Sequence, residues 1–311
     1  MAEHFPIAHF LAVAKHGGVS KAARALGVAQ PAVTKSIQRL EQRYGAALFE
    51  RLPRGMQLTP VGQALARHAQ LIDIEYRNAE AEISAIVGTH RGTINIGAGP
   101  TWLRNYLPQA VARLHASRPN VSVRIHSGSY DSLSPKLQDG DIDILLSALR
   151  LHEFQADDLI THEILVEDIL VLIARKQHPL ARLEKIPPEA LMEYPWAVSI
   201  YDAQNREVLE TLFRRNGLPT PMPAVESFSI GFVLSVLREG NYLSFQASHH
   251  LASPEAKGIV PLKFPSFSWQ RVAGVSFRNT GTRPPAANLL LRELKAVLAL
   301  EKKLVVNRDR Q

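Results

Sequence analysis

Over the first sixty residues, apolar positions recur at the three- and four-residue steps of helices, not at the alternation of strands. Phe5, Ile7, Phe10, Leu11 and Ala14 define a first helix, which the pair Gly17-Gly18 ends. Ser20 offers an N-cap to a short second helix running through Leu26, and Gly27 closes it. Ala22, Ala23 and Ala25 are small enough to let a neighbouring helix come close. A third helix opens at Gln30-Pro31, where the missing proline N–H costs nothing in the first turn. Its apolar face is Val33, Ile37, Leu40 and Tyr44, with Gln30, Thr34, Lys35, Gln38 and Gln42 on the other side. A hairpin follows over 48–58, with Pro53-Arg54-Gly55 as its tip.

From Thr59 to about Val87 the pattern predicts one long helix. Leu65, Ala69, Ile72, Tyr76, Ala79, Ile83 and Ile86 alternate steps of four and three, which is a heptad seam. Such a seam predicts pairing with a second copy, the alternative being packing on its own domain. Residues 88–92 read as a hinge. Beyond them, apolar strands at 93–98, 121–127, 142–147, 160–166, 169–174, 196–200, 224–227, 242–245 and 271–276 are interleaved with amphipathic helices. The helices fall at 103–117, 132–139, 206–216, 230–239 and 284–302. This is an α/β pattern with mostly parallel sheets. The expected domains are 1–58, a connecting helix over 59–88, and 89–311.

Composition narrows the chemistry. The 311 residues suit two ordinary domains and a connector, and 46% hydrophobic content is enough for real cores. Without cysteine there is no disulfide, thiol catalysis or cysteine-bound zinc. The first ten residues contain Glu3 and no Lys or Arg, unlike a signal peptide, and apolar runs such as 164–174 are short and carry charge. A cytoplasmic protein with no membrane partner is expected. Of the net charge of +7, residues 1–58 hold +5, from eight Lys or Arg against three acids. A basic domain at one end of a nearly balanced chain suits a polyanion, or is simply a solvated surface.

Several chemistries drop out. Gly97-Ala98-Gly99 mimics half of a dinucleotide fingerprint, but Trp102 stands where its third glycine belongs. No P-loop, nucleophile elbow or metal-binding helix motif occurs. His249-His250 are adjacent, not one helical turn apart, which suits loop or helix-end surface better than a metal pair. No catalytic residue, cofactor or metal is expected.

The N-terminal motifs, in their order and spacing, closely resemble the LysR-type transcriptional regulators. They are Phe10-Leu11-Ala12-Val13-Ala14, 20–26, Gln30-Pro31-Ala32-Val33-Thr34, Leu40-Glu41, Leu48-Phe49-Glu50-Arg51 and Leu58-Thr59-Pro60-Val61-Gly62. Weaker likenesses lie further on, at Asp139-Gly140-Asp141-Ile142-Asp143, Tyr194-Pro195-Trp196, Gly217-Leu218-Pro219 and Gly240-Asn241-Tyr242. The resemblance implies a winged helix-turn-helix, a long linker helix that makes a homodimer, and a two-lobed effector domain like that of periplasmic binding proteins. Lobe one would take about 92–163 and 269–311, and lobe two about 164–268. It further implies a homotetramer, double-stranded DNA and a small-molecule effector as partners, with RNA polymerase a candidate partner. One departure is Ala29, where the family carries a hydroxyl; a cap worth about 1 kcal/mol is absent.

The first turns of the third helix suit the major groove. Gln30, Pro31, Thr34 and Lys35 are the candidate base readers, and Arg54 at the hairpin tip resembles the family's minor-groove arginine. Ser20, Lys21, Arg39 and Arg51 are the candidate phosphate contacts. Each has plain surface as its alternative. In the α/β part, ligands bind beyond the carboxyl ends of parallel strands. Those ends hold Gly99, Pro100, Thr101, Ser129, Ser147, Ser199, Tyr201, Ser227 and Phe228, a lining that suits a small organic anion beside an apolar wall. The resemblance makes Thr101 the first choice, with an ordinary N-cap as the alternative; Phe228 and Phe245 are cleft or core, and Arg150 an anion partner or a solvated loop residue. The rival for the whole chain is a solute-binding protein or enzyme without a regulatory role, which leaves the basic N-terminus unexplained.

Overall fold

The structure, a computed structural model, describes residues 4–53, 55–87, 92–149, 159–199, 203–264, 267, 269–279 and 282–308. The chain divides into two units, one of 1–92 with 280–285 and one of 93–279 with 286–311.

The first unit is built from α1 (His4–His16), α2 (Val19–Leu26), α3 (Gln30–Tyr44), the hairpin β1 (Phe49–Leu52) and β2 (Gly55–Leu58), and α4 (Pro60–Ile86). Phe10, Val13, Ala22, Ala23, Val33, Ile37, Leu40, Leu48 and Phe49 close one core, with Phe10 and Phe49 rings 5.3 Å apart. Tyr44, expected on that apolar face, stays 48% exposed. Gly27 takes φ 67° at the α2–α3 turn, a left-handed conformation that a side chain would strain. The hairpin is antiparallel, pairing Phe49 with Leu58, and Met56 N donates to Gly17 O at 2.9 Å, fixing the hairpin against the α1–α2 turn. Thr59 caps α4, accepting from Gly62 N at 3.0 Å.

The seam of α4 changes duty along its length. Ala69 is buried in the core with Leu65 packed against it, so these two serve their own unit. From there on Ile72, Tyr76, Ile83 and Ile86 are exposed, at 49%, 39%, 59% and 78%. On another side of α4, Glu75 accepts from Thr282 N at 3.0 Å and Asn78 donates to Thr282 O.

The second unit runs β3 (Thr93–Ala98), α5 (Pro100–Arg104), α6 (Leu107–Ser117), β4 (Ser122–Ser127), α7 (Tyr130–Gln138), β5 (Ile144–Leu149) and β6 (Ile160–Arg175). It continues with β7 (Ala197–Ser199), α8 (Ala203–Arg215), β8 (Val225–Ser227), α9 (Ile230–Glu239), β9 (Ser244–Ala247), β10 (Ile259–Pro261), β11 (Trp269–Arg278) and α10 (Pro285–Arg308). Two cores result. One gathers Ile94, Ile96, Trp102, Leu107, Ile144, Val275, Leu290 and Leu294; the other gathers Leu172, Trp196, Val208, Leu212, Phe213, Leu243 and Phe245.

Parallel pairing holds where a helix returns the chain: β3 with β4 and β5, and β7 with β8. The expectation of mostly parallel sheets fails for β6 and β11, which pair antiparallel with each other and with β5, β9 and β10. The two strands expected over 160–174 are one sixteen-residue strand. The single helix expected over 103–117 is broken at Asn105-Tyr106, and α6 restarts with Pro108 in its first turn. β6 and β11 pass from one core to the other: β11 pairs with β5 through Val272–Ser276, and β6 pairs with β9 through Leu170–Ile173.

Candidate functional site

The basic unit presents the first turns of α3 to solvent. Gln30, Pro31 and Lys35 are exposed, Thr34 is half-buried, and Val33, Ile37 and Leu40 turn the other way into the core. Ser20 was expected to cap α2, but Gly18 is the N-cap and no side chain caps the helix. The helix therefore starts two residues earlier, at Val19. The Ser20 hydroxyl instead donates to Gln30 Oε1 at 2.9 Å, joining the starts of α2 and α3. Ala29 precedes α3 with no side-chain cap bond. The Thr34 hydroxyl donates back to Gln30 O at 3.2 Å. His9, buried at 8% exposure, bonds Ser36 Oγ at 2.7 Å and braces α1 against α3; burial lowers its pKa. Lys21, Arg39 and Arg51 are exposed, and Arg54 lies outside the described residues.

In the second unit the strand ends do meet. Gly99 N donates to Leu146 O at 2.8 Å and Gly128 N to Ala98 O at 3.2 Å, so the ends of β3 and β4 stand side by side and next to Leu146 within β5. A Cβ on Gly99 would lie 4.0 Å from the Ser147 backbone. Thr101 is 7% exposed and is not a cap; Gly99 occupies the cap position of α5, with Pro100 next. Ser129 is a cap, accepting from Ser132 N at 3.2 Å. In the other core Ser199 and Ser227 are register partners at the ends of β7 and β8. Ser227 Oγ accepts from Ser229 N at 3.1 Å. Ser147 Oγ and Ser199 Oγ are buried with no hydrogen-bond partner among the described residues. Phe228 is 75% exposed, and Phe245 is core at 6%. Tyr201 and Arg150 lie outside the described residues.

One group of residues escaped the sequence reading. His250 is 5% exposed and the His249 side chain 22%, so neither is plain surface as expected. His249 Nδ1 lies 2.6 Å from Asp168 Oδ2, and Asp168 sits opposite Arg271 where β6 and β11 cross. Burial would raise the Asp168 carboxyl, but the hydrogen bond and charge of His249, the charge of Arg271 and the Ile169 N–H outweigh it and hold it at about 2. The available signal was an arginine heading an otherwise apolar strand, facing a strand interrupted by Glu167-Asp168.

Comparison with known proteins places these features in a group. Residues 7–63 match the bacterial regulatory helix-turn-helix proteins of the lysR family, and residues 88–299 match the LysR substrate binding domain. The transcriptional regulator GalR of Pseudomonas putida is 30% identical over 89% of this chain and 69% of its own length. PcaQ of Agrobacterium fabrum, also a transcriptional regulator, is 28% identical over 81% of each chain. Among solved structures, a full-length OxyR variant from Pseudomonas aeruginosa superposes with a TM-score of 0.70 at 20% identity over 94% of each chain. Full-length CbnR complexed with its target DNA gives 0.57 at 19% identity over 94% of this chain and 99% of CbnR.

Proposed function

The chain belongs to the LysR family of bacterial helix-turn-helix regulators, and on that premise we propose which of its residues do a regulator's work. It is a DNA-binding transcription regulator with a substrate-binding domain. The DNA half of the reading is carried by one observation: a polar, exposed first turn of α3 on a domain with a net charge of +5. Gln30, Pro31, Thr34 and Lys35 read base edges in the major groove. Ser20 holds Gln30 Oε1, so the Gln30 amide NH2 is the end free to reach an acceptor on a base. Lys21, Arg39 and Arg51 neutralise phosphates, and Arg54 enters the minor groove.

The sensing half rests on Ser147 Oγ and Ser199 Oγ. A buried hydroxyl without a partner costs free energy; Ser147 directly follows the part of β5 that pairs in parallel with β3, and Ser199 ends the parallel strand β7. A small polar ligand, most simply an organic anion, supplies the missing partners, with Thr101, Gly99, Pro100, Ser129 and Ser227 around it. Tyr201 and Phe228 are carried only by the sequence pattern.

The exposed run of Ile72, Tyr76, Ile83 and Ile86 supports a homodimer through α4, because an apolar helix stripe left in water is normally covered. A homotetramer and a contact to RNA polymerase follow from the family reading. Among the described residues no helix is long and apolar enough to cross a membrane. The test is selection of genomic fragments by the full-length protein. Recovery of a shared motif with two-fold symmetry is expected; fragments with no motif in common would refute the reading.

A further inference from the structure

A buried pair of opposite charges stands where β6 and β11 pass between the cores, and only one partner is satisfied. β5 reaches along β11 no further back than Val272, and β9 meets β6 only from Leu170 onward. Asp168 and Arg271 face each other in that gap, their side chains 5% and 4% exposed. Buried charges are costly unless hydrogen bonds satisfy both. Asp168 accepts from His249 Nδ1 at 2.6 Å, Ser248 Oγ at 3.0 Å and Ile169 N at 2.8 Å. Arg271 Nη2 comes only to 3.5 Å from Asp168 Oδ2, an ion-pair contact. Arg271 Nε and Nη2 have no hydrogen-bond partner among the described residues, and neither have Nε2 of His249 and of His250.

Both cores contribute to this cluster. The His249 ring lies 4.3 Å from His250 and 5.6 Å from Tyr106, which itself packs on Trp102 in the first core at 5.6 Å. Arg104 of α5 forms an ion pair with Glu255 and adds its charge beside His250. Residues of both cores and of the strands that join them frame this group. Its partly exposed member, His249, is the side open to solvent.

The geometry points to a seat for an oxyanion at this crossover, built on Arg271 and filled by the charged end of the effector. The carboxylate next to Arg271 is saturated by other donors, while Nε and Nη2 of the guanidinium are buried with no hydrogen-bond partner among the described residues. A planar guanidinium pairs with a carboxylate, sulfate or phosphate through two parallel bonds, which no neutral group matches. Burial first, then the charges of His249 and Arg271, hold the His250 imidazole down to about 2, so it stays neutral beside Arg271. The inference rests on the effector reading above and adds the residue that takes the anionic end.

The test uses the full-length protein and its tryptophan emission, since Trp102, Trp196 and Trp269 all lie in the second unit. Thermal unfolding is followed in acetate, succinate and sulfate, and in acetamide and succinamide, at ionic strength matched with sodium chloride. Acetate and succinate should raise the midpoint saturably, by about 3 °C at ten times Kd, and the amides should not. Arg271→Gln should weaken that binding about tenfold or more. If Arg271→Gln does not fold, Asp168→Asn with Arg271→Gln removes both charges together and makes the same comparison. On the unmutated protein, selenate in crystals should give an anomalous peak within hydrogen-bond distance of the Arg271 side chain. Carboxylates no better than chloride, amides equal to acids, unchanged binding by the variants, or selenate only elsewhere would each overturn the seat. Sulfate binding without carboxylate binding marks an adventitious ion only and overturns it too. A neutral compound that alters operator binding would remove the seat and leave the sensing role standing.

Discussion

His250→Gln should make the second unit less sensitive to mild acid. His250 is 5% exposed, and burial, reinforced by its positive neighbours, holds its imidazole down from 6.5 to about 2. The unfolded chain takes up a proton near the ordinary value and the folded chain does not. Over that window the unfolded state binds more protons, so stability falls as pH falls. From pH 7.5 to pH 5 roughly one and a half units lie below the unfolded value, which costs about 2 kcal/mol. Asp168 does not confuse the comparison. Its carboxyl is held at about 2, so its stabilising effect is full above 3.8 and is lost only as pH falls from there. Urea unfolding of wild type and His250→Gln, followed by tryptophan emission, measures the effect directly. The gap between their unfolding free energies should shift by about 2 kcal/mol in favour of the variant on going to pH 5. A gap that stays constant across those two conditions would refute the assignment of a buried, neutral His250.

Gln30→Ala should relax preference at one operator position, costing about 1–3 kcal/mol there, and leave nonspecific affinity nearly intact. The bond it loses, from Ser20, is exposed, so folding should be unchanged by circular dichroism. Arg39→Ala should weaken all sequences alike and reduce the salt slope by about one unit, read from binding at several salt concentrations. Ile72→Lys puts a charge into the exposed stripe of α4; lower mass in analytical ultracentrifugation and weaker operator binding should appear together. Thr101→Val keeps shape and removes a hydroxyl that does not cap α5, so effector response should fall while ligand-free DNA binding persists.

The helix-turn-helix was legible because each of its signals is local. Pro31 and the apolar spacing of Val33, Ile37 and Leu40 fix α3 within its own fifteen residues. Ser20 was misread because a hydroxyl near a helix start looks the same whether it caps the helix or, as here, reaches Gln30 ten residues on. The seam of α4 was legible as a seam, but the point at which it leaves the core, between Ala69 and Ile72, depends on how far α1 and the hairpin extend in space. The crossover was the least legible part. Glu167-Asp168 looks like a turn between two strands until Arg271, a hundred residues later, pairs opposite Asp168. A separation of 81 residues between Asp168 and His249 hid the burial of the histidine pair in the same way.

The central claim is that one chain couples an operator to a small molecule. Coupling is reciprocal, so a compound that stabilises the second unit must change operator affinity if the two sites share an equilibrium. The direct measurement is fluorescence anisotropy of a recovered operator fragment, titrated with full-length protein with and without a compound that raises the tryptophan-reported midpoint. The account predicts a change in Kd of about fivefold or more, for a coupling of about 1 kcal/mol or above. Identical titrations at saturating compound would contradict it.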